Sequence, residues 1–291
     1  MSTTTVMSNN NNTIKLLDRE YYKLSSFIHD HYGINLTDAK RVLLESRLQK
    51  RLRAAGLTNF KDYVKQVISS KNQEEIINMI NVVSTNKTDF FREKSHFDYM
   101  SKVLLPEMAT KYGKELKVWS AASSTGEEIY TIAMVIEEFM NANSFQFNYS
   151  IDGTDISTDV LRKCIRGVYD LADIAPIPNS LKQKYFLRSR DKIRPKVKVV
   201  RKLRARANFY RFNLMSSNYP TKGKYDIIFC RNVLIYFDRK TQYEVIKKLC
   251  GSLKTGGYLF LGHSESIIGL DLPLQQVTHT GYRKVLSHGN A

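Results

Sequence analysis

Polar residues follow three apolar segments of the chain, at positions from which side chains reach a ligand in many α/β proteins. The apolar segment 117–121 is followed by a turn of small residues and then by Glu128. Asp155 follows a second apolar segment, and Asn232 follows a third, 225–230. Small residues let a backbone approach a ligand, and the amino terminus of a helix offers free N–H groups. Because an acidic residue after the second strand commonly binds ribose hydroxyls, the pattern predicts a nucleotide-type site.

Each of these residues also has a purely structural interpretation. Thr125 and Glu128 have the spacing of a capping box, in which both side chains would only terminate a helix. Asp155 precedes Ser157, a candidate N-cap residue, so its role could be limited to helix entry. Asn232 is a residue type that favours turns. Each motif taken singly leaves the functional and the structural interpretation open.

Arg92 follows a pair of phenylalanines, Phe90 and Phe91, between the helical part of the chain and the first predicted strand. The aromatic pair indicates packing at a domain seam. A partly buried arginine needs an anionic partner, because its guanidinium group stays charged and presents a planar set of donors. Arg92 is therefore predicted to face an anion.

The elements that must position these residues change character along the chain. Residues 14–85 contain helical periodicity and almost no strand-like alternation, which predicts an all-helical part. Its predicted helices are 15–32, 37–55, 59–70 and 73–83.

Short apolar runs alternate with helical stretches after residue 116, which predicts a parallel, doubly wound sheet. The predicted strands are 117–121, 147–152, 225–230 and 258–261. The predicted helices between them are 125–142, 157–166 and 238–253.

The positive charge is concentrated in one window. The 291 residues include 45 Lys and Arg against 28 Asp and Glu, a net charge of +17. Residues 182–211 contain thirteen basic residues and one acid, Asp191. Period-two alternation over 196–208 predicts a half-buried strand with one strongly basic face. Such a face suits nucleic acid, anionic lipid or an acidic protein, or it is a solvated edge that prevents strand pairing.

A second basic stripe lies on the helix predicted to start at Thr37. At about 100° per residue, Lys40, Arg47 and Arg51 share one face, with Lys50 beside them. The apolar stripe of the same helix consists of Leu44, Leu48 and Leu52. The basic stripe is either a solvated helix face or a docking surface for an acidic partner.

Composition excludes several classes of protein. No apolar run approaches the roughly 18 residues that a membrane-spanning helix needs, so membrane insertion is not expected. Residues 1–13 are polar and rich in Asn, which predicts a disordered tail.

His29 and His31 fit surface positions, and no Cys/His cluster predicts a metal site. A sparse, odd set of cysteines favours reduced thiols and a cytoplasmic protein. The cysteines are Cys164, Cys230 and Cys250.

Five motifs, in this order, resemble the CheR family of chemotaxis methyltransferases, which use S-adenosylmethionine. Together they make the resemblance specific, and it extends from about residue 15 to 286. The motifs are 86–93 (NKTDFFRE), 119–128 (WSAASSTGEE), 153–157 (GTDIS), 228–238 (IFCRNVLIYFD) and 262–266 (GHSES).

The resemblance implies an α/β fold with three parts. These are an all-helical amino-terminal domain at 14–85, a Rossmann-like methyltransferase domain at 86–291, and a small antiparallel β subdomain inserted at about 188–211. It also implies methyl transfer from S-adenosylmethionine to glutamate side chains on the cytoplasmic helices of chemoreceptors, giving γ-glutamyl methyl esters. Members that grip a receptor's carboxyl-terminal pentapeptide use the inserted subdomain. Here that subdomain is unusually basic and lacks a Gly-rich turn.

The resemblance also implies roles for individual residues. Arg92 and Tyr236 would act near the transferred methyl group, Arg92 by orienting the acceptor carboxylate or the cofactor. From its charge, and not from the resemblance, the basic stripe of Lys40, Arg47, Lys50 and Arg51 is predicted to lie along an acidic receptor helix bundle. The implied cofactor contacts are Asn86, Thr88, Arg92, Glu128, Asp155, Asn213, Leu214, Asn232 and Val233.

A free glutamate has a pKa near 4.3, so the acceptor is already a nucleophile at neutral pH and no general base is required. Two other functions compete with this one. An RNA methyltransferase would use the basic window, although aromatic residues for base stacking are missing from its core. A non-catalytic, cofactor-sensing adaptor would be expected to lose some site residues. The prediction is a monomeric enzyme with receptor helices as partner, and nucleic acid is disfavoured.

Overall fold

A computed structural model describes residues 13–111, 114–220, 223–267 and 269–286. Residues 1–12 of the predicted tail lie outside the described residues. The described chain divides into two compact units. One comprises the residues up to Asp30 together with Asn35–Val83, and the other comprises His31–Ile34 and the residues from Ser84 onward.

The first unit is helical, as predicted. The Leu stripe of the second long helix is buried, with Leu44, Leu48 and Leu52 all inside the core of the unit. This confirms the apolar face that the spacing predicts. The helices are α1 (Asp18–Tyr32, its last two residues in the second unit), α2 (Arg41–Ala54), α3 (Phe60–Val64) and α4 (Gln73–Val83), with a 3₁₀ turn at Asp38–Lys40 and a π segment at Lys65–Ser69.

The second unit begins with helices α5 (Lys94–Tyr99) and α6 (Leu105–Lys111), separated by a π segment at Met100–Leu104. Strands and helices then alternate. They are β1 (Glu115–Ala121), α7 (Glu127–Asn143), β2 (Asn148–Asp155), α8 (Thr158–Arg166), β3 (Val168–Asp170), α9 (Asn179–Tyr185), β4 (Phe186–Arg188), β5 (Lys196–Val199), α10 (Arg201–Arg204), β6 (Ala207–Arg211), β7 (Tyr225–Cys230), α11 (Arg239–Ser252), β8 (Leu253–Leu261), β9 (Leu274–Thr278) and β10 (Gly281–Lys284), with 3₁₀ turns at Leu171–Ile174 and Leu234–Tyr236.

Seven strands form one mixed sheet in the order β6-β2-β1-β7-β8-β10-β9. The first five strands are parallel, and β10 pairs antiparallel with both β8 and β9. The predicted parallel, doubly wound sheet is confirmed for these five strands, and a carboxyl-terminal hairpin adds two antiparallel strands at one edge. All six residues of β7 are buried, as expected for a central strand that is covered on both faces.

The basic window does not form the predicted single strand. Residues 196–199 lie in β5, residues 201–204 form the short helix α10, and residues 207–211 form β6. β5 is central in a small antiparallel sheet of order β3-β5-β4, whereas β6 pairs in parallel with β2 in the large sheet. Alternating basic and apolar residues over 196–208 are typical of a strand. A short helical turn such as α10 accommodates the same residue types, so the alternation did not distinguish the two. The part of the predicted insertion around 207–211 therefore belongs to the large sheet.

The order of the strands creates a crevice. From β1 the chain proceeds outward to β2 and β6, and then returns to β7 on the other side of β1. The loops that leave β1 and β7 consequently diverge, and such a switch point is where open α/β sheets bind ligands. No helix among the residues that the structure describes is long and apolar enough to span a membrane.

Candidate active site

The turn after β1 has an unusual backbone. Ala122, Ser124 and Gly126 have φ values of 70°, 48° and 97°. Only glycine adopts such values at little cost, so the two other residues must be held by their surroundings. Asp155, at the end of β2, supplies one restraint, because its Oδ2 accepts the N–H of Ser124 at 2.9 Å.

Asp155 is buried and also accepts the N–H of Ser157 through Oδ1, at 2.9 Å. Burial raises the pKa of Asp155, although the backbone N–H donors act in the opposite direction. The carboxylate therefore joins the turn after β1 to the start of α8. The backbone N–H of Ile156 is a third donor, so about one of the roughly four acceptor positions of an ionised carboxylate remains for a ligand hydroxyl.

Glu128 points toward β7 and does not cap the helix. Its Oε1 accepts the hydroxyl of Ser120 at 2.7 Å, and its Oε2 accepts Arg231 Nη1 at 3.0 Å. The N-cap of α7 is Gly126, and the hydroxyl of Thr125 donates to Glu127. The capping-box interpretation is therefore wrong, and Glu128 belongs to the crevice.

Arg231 is the centre of a charged network. Its side chain is 2% exposed and lies over the ring of Phe97. Besides Glu128 it donates to Oε2 of Glu93 through Nη2 at 3.0 Å and Nε at 3.2 Å, and to the backbone oxygen of Arg92. A guanidinium shared by two carboxylates fixes three chain segments in one geometry.

Glu93 joins this network to the loops after β7 and β8. Its Oε1 accepts the side-chain amide of Asn232 at 3.0 Å and the N–H of His263 at 3.2 Å. Burial alone would raise the pKa of Glu93. Arg231 and the hydrogen bonds from Asn232 and His263 outweigh burial and lower this pKa to about 2. The group is thus ionised throughout the physiological range.

Asn232 has a φ of 58°, which is uncommon for a residue with a side chain. Glu265 holds its backbone, since Oε2 accepts the N–H of Asn232 at 3.0 Å and Oε1 accepts that of Leu234 at 2.7 Å. Burial raises the pKa of Glu265, although its backbone donors oppose the shift. Val233, which lies between Asn232 and Leu234 in the chain, packs against the core.

The loop at 86–92 borders the same turn. The backbone oxygen of Asn86 accepts the Ser124 hydroxyl at 2.8 Å, and Arg92 Nη1 donates to the backbone oxygen of Lys87 at 2.9 Å. Asn86, Thr88 and Arg92 are half-buried. Asn86 and Thr88 also line a polar cavity of about 220 Å³. The loop is therefore anchored to the crevice through Ser124.

The other predicted contacts are placed differently. Asn213, two residues beyond β6, donates to the backbone oxygen of His31 at 2.7 Å and accepts the N–H of Met215. Leu214 is buried in the core. Tyr236 ends the 3₁₀ turn after β7 and is half-buried. These contacts of Asn213 and Leu214 lie outside the Arg231 network.

The four basic residues predicted to dock a substrate lie on or beside α2 in the helical unit. Lys40 donates to the backbone oxygen of Asn35 at 3.1 Å, and Arg47 to that of Val83. Arg51 forms a two-pronged ion pair with Glu75. Only Lys50 of the four is exposed. The structure thus engages most of the predicted stripe in contacts within its own unit.

A group of possible metal ligands lies beside Glu93. Donor atoms of Glu93, His96 and His263 are all within 4.8 Å of one another. Both oxygens of Glu93 already accept hydrogen bonds, however, and Oε2 faces the Arg231 guanidinium. A cation there would compete with a fixed positive charge, so we interpret the group as part of the hydrogen-bond network. The expectation that no metal is bound stays a prediction.

Sequence reasoning did not single out Glu93, Arg231, Glu265 or Ser120. All four residues lie inside the five motifs that resemble the CheR family, so the sequence contained the information needed to find them. A charged residue directly after an all-apolar strand, as at Arg231, is the clearest sign, because it must be paired wherever it is buried.

The fold and this crevice define a class of protein: an α/β domain that binds a nucleotide-type cofactor beyond the carboxyl ends of its parallel strands. Comparison with family models agrees. The model described as "CheR methyltransferase, SAM binding domain" matches residues 86–283, and "CheR methyltransferase, all-alpha domain" matches residues 19–84. The chain belongs to the CheR family of S-adenosylmethionine-dependent methyltransferases.

Relatives match over nearly the whole chain. The chemotaxis protein methyltransferase of Borreliella burgdorferi is 38% identical over 278 residues, which cover 94% of this chain and 97% of that protein. The Escherichia coli protein of the same name is 37% identical, covering 89% and 88%. That of Vibrio parahaemolyticus is 39% identical, covering 88% and 92%. The predicted family, fold class, cofactor and enzyme class are thereby confirmed.

The donor set of the crevice fits this cofactor. S-adenosylmethionine has ribose hydroxyls, an ammonium group, a carboxylate and a purine. Asp155 retains an acceptor position for a ribose hydroxyl, and the Glu128 carboxylate suits a cationic group. Main-chain and amide groups at Asn232 suit a purine edge. The residues present therefore match the chemistry of the group.

Proposed function

We propose that this enzyme methylates glutamate side chains on the cytoplasmic helices of chemoreceptors, giving γ-glutamyl methyl esters that serve chemotactic adaptation. The observation that carries the proposal is the complete Arg231–Glu93–Glu128 network in a chain whose full-length relatives are chemotaxis protein methyltransferases. The enzyme would act in the cytoplasm and as a monomer.

The chemistry requires little from acid–base groups. S-adenosylmethionine supplies a methyl group bonded to a sulfonium centre. A receptor glutamate is ionised at neutral pH, so its carboxylate attacks the methyl group without first losing a proton. Because opposite charges are neutralised during transfer, exclusion of water and in-line positioning favour the reaction. The protein's task is therefore binding and orientation.

Arg92 suits orientation of the acceptor. Its guanidinium donates one bond to the oxygen of Lys87 and has further N–H donors available for a carboxylate. A tight ion pair would weaken the nucleophile, so Arg92 would orient the carboxylate without fully neutralising it. Tyr236 would lie near the transferred methyl group. The proposed cofactor contacts are Asn86, Thr88, Arg92, Glu128, Asp155, Asn213, Leu214, Asn232 and Val233.

Receptor helices would dock on α2. Val42, Lys50 and Arg53 are exposed on one face of this helix, with Val42 76% exposed. A face with apolar and basic residues suits an acidic amphipathic helix bundle. Lys40 and Arg47 would add positive charge on the other side of Lys50. Arg51 would contribute less, because Glu75 already neutralises it.

The competing functions have less support. Several cations of the basic window pair with acids of the same unit, as Lys184 does with Glu138 and Lys202 with Glu137. These pairs reduce the positive charge available to an RNA backbone. The complete charged network of the crevice likewise disfavours a silent adaptor.

Labelled methyl transfer tests the proposal. The enzyme is incubated with radiolabelled S-adenosylmethionine and a receptor cytoplasmic fragment, and the labelled product is treated with mild base. We expect volatile radiolabelled methanol, which only a carboxyl ester releases under these conditions. Label that withstands base, or label in added RNA, would contradict glutamate methylation. A fragment with Gln at the acceptor positions is the matched control and should remain unlabelled.

A further inference from the structure

Glu265 collects backbone N–H groups from two separate loops. Its Oε2 accepts the N–H of Asn232 at 3.0 Å and that of Gly262 at 2.6 Å, while Oε1 accepts that of Leu234 at 2.7 Å. The residue is 5% exposed. With the backbone N–H of Ile235, four donors converge on one side chain, which therefore must be an acceptor at both oxygens.

The loop it holds is a strained one. Asn232 adopts the left-handed conformation, which an isolated loop would leave for a more common one. The loops also approach closely, because a Cβ at Gly262 would lie 2.8 Å from the nitrogen of Asn232 and 2.9 Å from Oε2 of Glu265. The backbone geometry of Asn232 thus depends on contacts from the loop after β8.

Two carboxylates, those of the half-buried Glu93 and the buried Glu265, together fix Asn232. Glu93 holds the side-chain amide from one side, and Glu265 holds the backbone N–H from the other. We infer that Glu265 is a positioning residue that presents Asn232 and Val233 to the cofactor. This inference rests on the proposed assignment of Asn232 and Val233 to cofactor binding.

The substitution Glu265→Gln tests it, because the amide turns an NH₂ group toward converging N–H donors. We expect KM for S-adenosylmethionine to rise about tenfold or more, as one or two lost charge-assisted hydrogen bonds imply, while kcat at saturating cofactor changes little. Hydrogen exchange of the peptide spanning 230–236 should accelerate.

Glu137→Gln is the matched control. Glu137 is buried on α7, accepts the Tyr149 hydroxyl at 2.9 Å and pairs with Lys202; neither of these contacts involves the loops of the crevice. The Glu137→Gln substitution should lower the melting temperature of the protein and leave KM for S-adenosylmethionine unchanged. A comparable rise in KM for Glu137→Gln would overturn the inference, since loss of stability would then explain both variants.

Asn232→Ala separates this inference from the assignment on which it rests. Calorimetry with S-adenosylhomocysteine should show weaker binding for Asn232→Ala as well as for Glu265→Gln. If Asn232→Ala binds normally, the cofactor assignment is wrong and the inference falls with it. If Asn232→Ala binds weakly and Glu265→Gln binds normally although its loop exchanges faster, the assignment survives and the positioning role is overturned.

Discussion

Two arginine–glutamate networks in this chain use the same chemistry for different ends. In the helical unit, Arg51 pairs with Glu75, which also accepts the hydroxyl of Tyr63 at 2.8 Å. In the methyltransferase unit, Arg231 pairs with Glu93 and Glu128. The Arg51 side chain is 21% exposed and that of Arg231 is 2% exposed.

The difference lies in what each network connects. Arg51 and Glu75 connect regular helices, which apolar packing already positions. Arg231 connects loops whose backbones include left-handed residues at Glu93 and Asn232. Packing alone does not enforce such conformations, so the charged contacts must do so. A buried ion pair is thus a local reinforcement in the first unit and a determinant of site geometry in the second.

Replacing Arg231 should have the largest effect. Arg231→Met leaves Glu93 and Glu128, whose side chains are only 11% and 13% exposed, without their cation, which costs about 3–5 kcal/mol. We expect a much lower melting temperature and loss of detectable S-adenosylhomocysteine binding by calorimetry. Arg231→Lys keeps the charge but cannot serve both carboxylates, so it should recover stability better than binding. Normal binding by Arg231→Met would contradict the role of the network.

The equivalent change at Arg51 should separate stability from function. Arg51→Met removes the partner of Glu75 and should cost about 1–3 kcal/mol, less than at Arg231 because the site is more exposed. Thermal unfolding should report the loss, while the Kd for S-adenosylhomocysteine stays at the parent value. Weakened cofactor binding would remove the contrast between the two networks.

The pH dependence of stability should report on His96, which lies beside the Arg231 network. Burial, followed by the nearby Arg231 charge, lowers the pKa of His96 from 6.5 to about 4. Between these values the unfolded chain takes up a proton that the folded chain does not, so stability falls as the pH falls. From pH 7 to pH 5 this contributes on the order of 1–2 kcal/mol. His96→Gln should flatten that part of a melting-temperature profile, and an unchanged slope would contradict it.

The smallest effect is expected at the exposed cation next to Arg51. Lys50→Glu should lower kcat/KM for a receptor fragment about two- to fivefold, since exposed charges interact weakly, and added salt should shrink the difference. Lys61→Glu, at another exposed lysine of the same unit, is the control and should have no effect. Equal losses for both variants would indicate a general charge effect and would contradict docking on α2.

The crevice could be located from the sequence, because the point where an apolar segment gives way to polar residues marks the carboxyl end of a strand. Asp155 and Asn232 were predicted from this rule, and Asp155 and the loop of Asn232 border the switch point. The partners Arg231, Glu93 and Glu265 were missed, because pairing between distant motifs depends on how the strands are ordered. The segment Arg201–Arg204 shows the same limit, since so short a run of basic residues around one leucine fits a strand and a helical turn equally well.

The most direct test of this account is a crystal structure with S-adenosylhomocysteine bound. The account predicts the ligand beyond the carboxyl ends of β1, β2 and β7, in contact with Glu128, Asp155 and Asn232, with the Arg231 network intact. A ligand seated instead against Lys163 and Asp173, away from Asp155 and Asn232, would contradict it.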